Sequence, residues 1–402
     1  MSIHVRSTQR AMNNDPVARI LGGDVLKLLE MPIAEARGLP PGAYTRPDFF
    51  QLEQERLFRG GWISVAFSHD LPNPGDAMPF SVAGGELLIV RDWERNVRAY
   101  HNVCRHRAST VLGAPAKGLK TLRCPYHCWS YGLDGRLLSA PMWEGRSGGR
   151  GSLDAGENAL VPINCGEWQD LVFVNIGGKA PALGEFVAPL ERRWQGYDLL
   201  ATTAPFAHAE RVIPANWKVV LEGFLEVYHE ACLHRSLTYR VDRDGKPTWA
   251  DVMDGDVMGF AGVLPSKDDD AAASPLRRIP GMPASGKATT DIFLLFPTTS
   301  INVLEDHVVR TIWTPISAEE TRWRSAWYFA TDPDSSEAAR KACADTVDFW
   351  HEIRGEDLSA ITRVQKGLSS IGFPGKPSRF SPFWEEIVRH FQRHVARRLA
   401  GA

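Results

Sequence analysis

Two short segments of this 402-residue chain each place a cysteine and a histidine close together. Cys104 and His106 form a C-x-H pair, and Cys124 and His127 form a C-x2-H pair. Two thiolates and two imidazoles suit either a structural zinc ion or an iron–sulfur cluster in which histidines replace two cysteines on one iron. Zinc sites usually bring two cysteines on one knuckle, whereas each segment here supplies one sulfur and one imidazole. This arrangement favours a [2Fe–2S] cluster whose two irons each take one ligand from each segment, with zinc as the alternative.

A second pair of imidazoles lies in the segment NWKVVLEGFLEVYHEACLH, residues 216–234. His229 and His234 are five residues apart, which on a straight helix sets them roughly 140° apart around the axis. They can share a metal ion only if the helix bends or ends between them. Such a pair is more often incidental when it stands alone, so a second metal site needs support from other residues.

Short strands and turns must position the two Cys-His pairs. The runs WISVAF, GELLIVRD and NVRAYHNV precede both pairs, and DLVFVNIG follows them. The Asp134-Gly135 dipeptide, which lies between the second pair and DLVFVNIG, is a good hairpin signal. Together these features predict a small β-domain. Residues 1–48 are predicted to form an N-terminal arm with one short helix in DVLKLLEM.

The second half of the chain predicts helices and an antiparallel sheet. A helix is predicted from near Asn216, and a long irregular loop over residues 266–290. The runs DIFLLFP, SINVLED, HVVRTIWTPI and TRWRSAWYFATD then predict strands that pair as an antiparallel meander. Two C-terminal helices follow, and the last is expected to pack on the sheet through an apolar stripe: Trp384, Ile387, Val388, Phe391 and Val395. The predicted fold class is α+β.

Composition excludes several function classes. The 46 basic residues nearly balance the 48 acidic ones, which leaves no net field to attract nucleic acid or an anionic membrane. No apolar run approaches the length of a membrane span, and the first residues lack the apolar core of a signal peptide. Six cysteines are too few for a disulfide framework in a chain of this length. We therefore expect a cytoplasmic, reduced protein with no nucleic-acid or membrane partner.

The two Cys-His segments, with CPYHCWSYGLDGRL, resemble the Rieske domain of aromatic-ring-hydroxylating oxygenase α-subunits. Respiratory Rieske proteins carry an extra cysteine in each loop, where this chain has Ser109 and Tyr126. They also have a serine that donates a hydrogen bond to a cluster sulfide, where this chain has Trp129. Fewer hydrogen bonds to the sulfurs predict a lower reduction potential. Such a potential suits delivery of electrons from NAD(P)H to oxygen chemistry.

The segment NWK…E-x-YH…H resembles the iron-ligand segment of the same family, and GEDLSAITRVQKGL matches its late E-D…Q-x-G-L pattern. The resemblance implies that His229, His234 and Asp357 bind a mononuclear Fe(II) as a facial triad with room for O₂. Glu356 is the next candidate carboxylate. Glu226 corresponds to the family's carboxylate that bridges the iron's histidine to a cluster histidine of a neighbouring subunit.

The resemblance also implies the domain organisation and the partners. A Rieske domain is expected over residues 49–175, and a catalytic helix-grip domain, an antiparallel sheet wrapped around a helix, over residues 176–402. The implied activity is O₂-dependent hydroxylation of a small, aromatic substrate. The chain shows no G-x-G-x-x-G motif after a strand, so electrons from NAD(P)H are expected through a separate flavin/iron–sulfur reductase, with or without a ferredoxin. A homotrimer is implied as well.

Three alternatives remain open from the sequence. Oxidative demethylation or monooxygenation of a quaternary ammonium or methoxy compound uses the same iron chemistry, and the spacing of Glu226 resembles α-subunits with such substrates. A plain Rieske electron carrier would not need the second set of ligands. A ligand-binding helix-grip protein with a structural zinc is the third. Six aromatic residues could surround either an aromatic ring or a methylated ammonium: Trp249, Phe260, Phe293, Phe296, Trp313 and Trp327.

Overall fold

The computed structural model describes residues 24–145, 149–199, 204–234, 247–264, 275–282, 288–372 and 377–401, together with residues 17, 21 and 22. The chain divides into two compact units, Phe58–Leu183 and a larger unit that combines Met1–Leu57 with Gly184–Ala402. The described part of the predicted arm, chiefly residues 24–48, therefore belongs by its contacts to the larger unit. No helix in the described part of the chain is long and apolar enough to cross a membrane.

The smaller unit is built from antiparallel strands in two sheets. Six strands pair in the order β1-β9-β8-β4-β3-β2, and a three-stranded sheet has the order β5-β6-β7. The four predicted strand runs correspond to β1, β3, β4 and β9. The bounds are β1 Ile63–Phe67, β2 Ala77–Val82, β3 Gly85–Arg91, β4 Val97–His101, β5 Leu122–Arg123, β6 Ser130–Tyr131, β7 Leu137–Ser139, β8 Pro162–Trp168 and β9 Leu171–Asn175.

The predicted Asp134-Gly135 turn joins β6 to β7. Gly135 has φ of 82°, and a Cβ at this position would lie 2.5 Å from Cε1 of Tyr100. The Tyr100 hydroxyl donates a hydrogen bond to the carbonyl of Leu133, 3.0 Å away. Glycine is required here both by the left-handed backbone and by the close approach of the aromatic ring.

The larger unit contains one seven-stranded antiparallel sheet in the order β10-β16-β15-β14-β13-β12-β11. The predicted meander corresponds to β13 through β16. Most of the predicted loop over 266–290 lies outside the described residues, and Ala288 already belongs to β13. The strands are β10 Ala207–Ile213, β11 Trp249–Asp254, β12 Val257–Leu264, β13 Ala288–Leu295, β14 Thr299–Val303, β15 His307–Ser317 and β16 Glu320–Phe329.

Helices precede, interrupt and follow this sheet, and the α+β class predicted from the sequence is confirmed. The long α7 and the final α8 correspond to the two predicted C-terminal helices. The bounds are α1 Val25–Glu30, α2 Gly42–Thr45, α3 Pro47–Glu53, α4 Leu183–Arg193, α5 Trp217–Phe224, α6 Glu230–Leu233, α7 Glu337–Leu368 and α8 Glu386–Ala400. A π-helical segment, Gln54–Phe58, continues α3.

The apolar stripe of α8 packs against α1 and against strands β11 and β12. Ile387, Val388, Phe391 and Val395 are buried as the stripe predicts. Trp384 precedes the first residue of α8, and its ring instead stacks on Trp249 at a centroid distance of 5.2 Å.

Helix α5 is held in place by polar contacts that are almost entirely buried. Asn216 caps its first turn by accepting a hydrogen bond from the backbone N–H of Lys218 at 3.0 Å. The ammonium of Lys218 lies 2.5 Å from Oε1 of Glu53, and both side chains are fully buried. The indole N–H of Trp217 donates to the other oxygen of Glu53 at 3.1 Å. These bonds fix α5 against α3.

Replacing Glu53 by Gln should therefore destabilise the larger unit strongly, because the charge of Lys218 would remain buried without its partner. Breaking a buried ion pair in this way costs about 3–5 kcal/mol. Urea unfolding followed by far-UV circular dichroism measures the loss. Glu30→Gln, which removes an exposed partner of Arg397, is the control and should leave the midpoint nearly unchanged. Equal midpoints for the two variants would contradict a structural role for the buried pair.

Candidate functional site

The two Cys-His segments of the smaller unit form loops with the same backbone hydrogen bonds. In the first loop, the N–H of Cys104 donates to the carbonyl of Ser109 at 2.8 Å. In the second, the N–H of Cys124 donates to the carbonyl of Trp129 at 2.8 Å. Each bond joins residues five positions apart, so the two loops have matching backbone hydrogen bonds around their cysteine and histidine. The sequence spacing, C-x-H against C-x2-H, does not show this equivalence.

A left-handed residue lies four positions after each cysteine. Ala108 has φ of 58° and Cys128 has φ of 59°, and the N–H of each donates back to the carbonyl of its loop's cysteine. Neither residue is glycine, so each loop carries roughly 1–2 kcal/mol of backbone strain. Such strain persists only where the surrounding structure fixes the loop.

The four predicted cluster ligands lie together in the smaller unit. Cys104 and Cys124 are buried, and the rings of His106 and His127 meet edge to face at 4.6 Å. His106 stacks on Trp129 at 4.9 Å, and its Nδ1 is buried without a hydrogen-bond partner in the part of the chain that the structure describes. An unpaired imidazole nitrogen beside two buried thiols is the donor set that a metal cluster needs. The residues present therefore fit a [2Fe–2S] group.

One sulfur of this group has a hydrogen-bond partner that sequence reasoning missed. The hydroxyl of Tyr131 lies 3.2 Å from Sγ of Cys104 and also accepts the N–H of Arg105 at 3.1 Å. While its oxygen accepts the N–H of Arg105, its O–H can donate to a Cys104 thiolate. This bond reaches a cysteine sulfur, whereas the serine of respiratory Rieske proteins bonds to a cluster sulfide, so Tyr131 does not restore the contact that is missing at Trp129. Its position seven residues after Cys124 is the only signal that the sequence offers.

In the larger unit, His229, His234 and Asp357 bring one ligand atom each to within 4.8 Å of one another. Nε2 of His229 is 3.4 Å and Nε2 of His234 is 2.9 Å from the same oxygen of Asp357. The helix interruption required by the spacing of the two histidines is present. His229 and His234 are the residues that flank the four-residue α6, and His234 has already left helical geometry with φ of −100° and ψ of 94°.

The outer nitrogen of each imidazole bonds to a different carboxylate. Nδ1 of His229 lies 2.5 Å from Oε1 of Glu226, and Nδ1 of His234 lies 2.8 Å from Oε2 of Glu356. The Nε2 atoms are thereby turned toward Asp357. Glu356, the alternative candidate ligand, contacts His234 on the side away from Asp357. A carboxylate on the outer nitrogen fixes the tautomer and raises the basicity of a ligating histidine.

The electrostatics of this group favour a bound cation. Burial opposes the charged imidazole, but hydrogen bonds with Asp357 and Glu226 outweigh it and raise the pKa of His229 to about 10. Burial likewise acts to raise the pKa of Asp357, but hydrogen bonds from both imidazoles hold it below its ordinary value. A divalent metal would replace the protons on the imidazoles, so metal affinity should rise with pH.

Two adjoining cavities open beside this group. The first has a volume of about 370 Å³ and is lined by all three candidate ligands and by aromatic rings. The second has a volume of about 320 Å³ and is lined by indole rings and by Arg354. The wall common to both consists of Gly223, Phe224, Asn302, Trp350, Ile353 and Asp357. The two cavities therefore adjoin along the part of the wall that contains Asp357.

The aromatic residues around these cavities are only partly those expected from the sequence. Phe260 lines the first cavity and Trp313 the second. Phe293, Phe296, Trp327 and Trp249 pack in other aromatic clusters. The lining residues that sequence reasoning missed are Phe224, Trp323, Phe349 and Trp350. They lie on helices and on a strand face that could not be oriented without the tertiary packing.

Two family models match this chain, one in each of its two main parts. Residues 198–401 match the ring hydroxylating alpha subunit catalytic domain, and residues 61–146 match the Rieske [2Fe-2S] domain. The chain is 28% identical to the carnitine monooxygenase oxygenase subunit of Escherichia coli K12, over 90% of this chain and 94% of that protein. It is 30% identical to the chloroplastic choline monooxygenase of Spinacia oleracea, over 51% of this chain and 47% of that protein. The solved structure of a quaternary ammonium Rieske monooxygenase superposes with a TM-score of 0.75 at 25% identity, covering 93% of this chain and 98% of that one.

Replacing Asp357 by Ala should remove the mononuclear iron, because two imidazoles alone hold a divalent metal weakly. About two irons and two acid-labile sulfides per chain should remain, with the visible spectrum of a Rieske cluster. Metal analysis and absorption spectroscopy measure both quantities. Glu356→Gln is the matched control, since Glu356 contacts only the outer nitrogen of His234. It should weaken iron binding by about 10–100-fold at most. Full iron content in Asp357→Ala would show that another carboxylate is the ligand.

Proposed function

Because this chain belongs to the ring-hydroxylating α-subunit family of Rieske oxygenases, we propose that it is a monooxygenase component that oxidises a quaternary ammonium compound. The relatives named above act on carnitine and choline. Their likeness to this chain favours the methylated-ammonium alternative over the aromatic substrate expected first from the sequence. The proposed reaction hydroxylates a C–H bond on a carbon attached to the ammonium nitrogen.

The observation that carries this proposal is the aromatic cavity beside Asp357. Phe224, Phe260, Phe349 and Trp350 line the first cavity together with the candidate metal ligands. A quaternary ammonium has no N–H to donate, so aromatic faces recognise it by cation–π attraction and methyl contact. An uncharged aromatic substrate could pack against the same rings. The charge around the reaction site therefore has to distinguish an ammonium substrate from an aromatic one.

Negative charge surrounds the proposed reaction site. Three carboxylates, Asp357, Glu226 and Glu356, contact the two histidines. Their formal charge exceeds that of one divalent cation, so the complete centre would carry a net formal charge of −1. A positively charged head group is therefore attracted to this centre rather than repelled. An uncharged ring gains nothing from the same arrangement.

The residues have distinct roles in the proposal. Cys104, His106, Cys124 and His127 hold the [2Fe–2S] cluster, and the triad of the larger unit holds ferrous iron. These groups supply electron delivery and O₂ activation when they are bound. The aromatic cavity orients the substrate and excludes water, while Glu226 and Glu356 keep both imidazoles in the tautomer that leaves Nε2 free.

The overall reaction balances with two external electrons. One oxygen atom of O₂ enters the C–H bond, and the other leaves as water with two electrons and two protons. The C–N bond of the hydroxylated product then breaks, which releases a carbonyl compound, a tertiary amine and one proton. The electrons are proposed to come from NAD(P)H through a separate flavin/iron–sulfur reductase. A homotrimer and a cytoplasmic location complete the proposal.

Glu226 is proposed to couple the iron centre to the cluster of a neighbouring subunit. Its Oε1 is bonded to Nδ1 of His229, and its Oε2 accepts the backbone N–H groups of Tyr228 and His229. These bonds hold the carboxylate rigidly at the outer edge of the iron-ligand segment. Each of its oxygens has two acceptor positions, so a second imidazole can still bond to Oε1.

Glu226→Gln should slow electron transfer from the reduced cluster to the iron by orders of magnitude while leaving metal content nearly normal. The amide keeps the size of the side chain but loses its charge and half of its acceptor capacity. Single-turnover stopped-flow with reduced, substrate-loaded protein measures cluster oxidation directly. Cluster oxidation at the wild-type rate would leave Glu226 as an ordinary support for His229.

A substrate panel tests the proposed function. Carnitine, choline, an aryl methyl ether and an aromatic acid would each be supplied with NADH, O₂ and a surrogate reductase. We expect O₂ consumption coupled to formation of a tertiary amine only with the methylated ammonium compounds. Asp357→Ala serves as the inactive control. Ring hydroxylation of the aromatic acid, with no amine released from carnitine or choline, would refute the proposal. It would favour the hypothesis of an aromatic substrate instead.

A further inference from the structure

A cation without a carboxylate partner faces the second cavity. Arg354 lies on α7, one turn before Asp357, and its guanidinium lies 4.8 Å from the ring centre of Trp323 and 5.5 Å from that of Trp327. Its Nη1 donates to the hydroxyl of Ser325 at 2.9 Å. Among the described residues, no carboxylate oxygen lies within 4.0 Å of this guanidinium, although ion pairs of other arginines are frequent.

The one acceptor that Arg354 has among the residues that the structure describes, the hydroxyl of Ser325, is already shared. The hydroxyl of Ser325 also accepts the indole N–H of Trp323 at 2.6 Å and bonds to the hydroxyl of Thr311 at 2.6 Å. Burial lowers the pKa of Arg354 to about 10, against the opposing charge of Asp357, so the group remains a cation near neutral pH. A guanidinium carries five N–H donors, and within the described part of the chain the bond to Ser325 uses one of them. A half-buried cation in this state calls for an anionic ligand.

The first cavity offers the opposite chemistry. Asn302 and Thr290 line it, and each has a buried side-chain oxygen with no hydrogen-bond partner among the described residues. Glu226 and Asp357 line the same cavity. Thr290 and Glu226 line only the first cavity, Arg354 lines only the second, and Asn302 and Asp357 belong to the wall between them.

We propose that Arg354 binds the carboxylate of a zwitterionic substrate, whose quaternary ammonium occupies the first cavity. This inference rests on the proposed function and narrows its substrate class to betaines. The planar fork of the guanidinium can hold a carboxylate through two parallel hydrogen bonds, while the indole rings keep it in position. A betaine satisfies both sides of the pocket. An ammonium alcohol such as choline leaves Arg354 without a counter-ion.

The named relative that matches over most of the chain acts on carnitine, which has a carboxylate, whereas the choline enzyme matches only 51% of the chain. The likeness therefore already favours a betaine. The position of Arg354 adds the residue that would bind its carboxylate. The stacking of Arg354 on Trp323 and Trp327 would also stabilise the sheet. The experiment therefore separates binding of a carboxylate from stabilisation of the fold.

The test compares carnitine with its methyl ester, which keeps the ammonium and the chain but removes the negative charge. Isothermal titration of the purified holoprotein measures binding without turnover. Wild-type protein should bind carnitine at least about tenfold more tightly than the ester, as expected for a charge-assisted bidentate pair. Arg354→Gln should lose about 10–100-fold in affinity for carnitine, while its affinity for the ester stays within about threefold of the wild type.

Two further variants complete the experiment. Arg354→Lys keeps a cation but loses the fork, and its affinity for carnitine should fall between those of wild type and Arg354→Gln. Arg340→Gln changes an exposed arginine on the same helix and should bind both ligands as the wild type does. The wild-type preference for the acid needs no variant, so the proposal stays testable even if Arg354→Gln does not fold.

The failures are distinguishable. Equal binding of carnitine and its ester by the wild type would refute the role of Arg354 and leave the proposed function intact. Equal losses for both ligands in Arg354→Gln would show a structural role for the stacked guanidinium. If wild-type protein binds none of carnitine, its methyl ester and choline, the proposed function itself is refuted.

Discussion

Two imidazoles five residues apart can face one point only where the helix that carries them stops, and the candidate iron centre depends on this constraint. Helix α5 ends at Phe224, and a short turn precedes α6. Glu226 fixes that turn, because one of its oxygens accepts two backbone N–H groups while the other holds His229. His234 then leaves helical geometry at the end of α6. The same carboxylate therefore shapes the backbone and orients an imidazole.

The third candidate ligand comes from a distant helix, α7, and a buried hydrogen bond joins that helix to the start of α5. The backbone N–H of Asn216 donates to Oε1 of Gln365 at 2.9 Å, and both residues are buried. Asn216 begins the N-W-K motif, and Gln365 lies in the Q-x-G-L motif, two turns after Asp357. The conspicuous polar residues of both motifs thus support the iron centre from a distance. Asn216 and Gln365 join the start of α5 to α7. This bond helps to hold the segment with His229 beside the helix that carries Asp357.

Sequence patterns could predict the parts of this protein that obey local rules. The antiparallel meander follows from alternating strand runs, and the Asp134-Gly135 hairpin from turn chemistry. The grouping of His229, His234 and Asp357 came from resemblance, since helical spacing alone argued against a shared metal. The bond between Glu356 and His234 and the stacking of Arg354 on Trp323 could not be predicted. Each joins residues far apart in sequence, and a charged residue on a helix is normally solvated.

The position of Trp384 illustrates the same limit. Its spacing continued the apolar stripe of α8, yet the helix begins at Glu386 and the indole stacks on Trp249 instead. Periodicity defines a face but not the residue at which the helix starts. The left-handed Ala108 and Cys128 were hidden for a related reason, because neither is a residue type that signals a positive φ.

One turn of α7 serves three purposes at once. Asp357 contacts both histidines, Glu356 bonds to the outer nitrogen of His234, and Arg354 faces the second cavity. Successive helical residues differ by about 100° around the axis, so neighbouring side chains can reach these separate targets. Residues three apart share a face, which brings the cation of Arg354 to the side of α7 that carries Asp357. A shift of α7 by one residue would misplace the carboxylate, its support and the cation together. The metal geometry and the orientation of a substrate are therefore set by the same rigid element, and the bond between Gln365 and Asn216 constrains both.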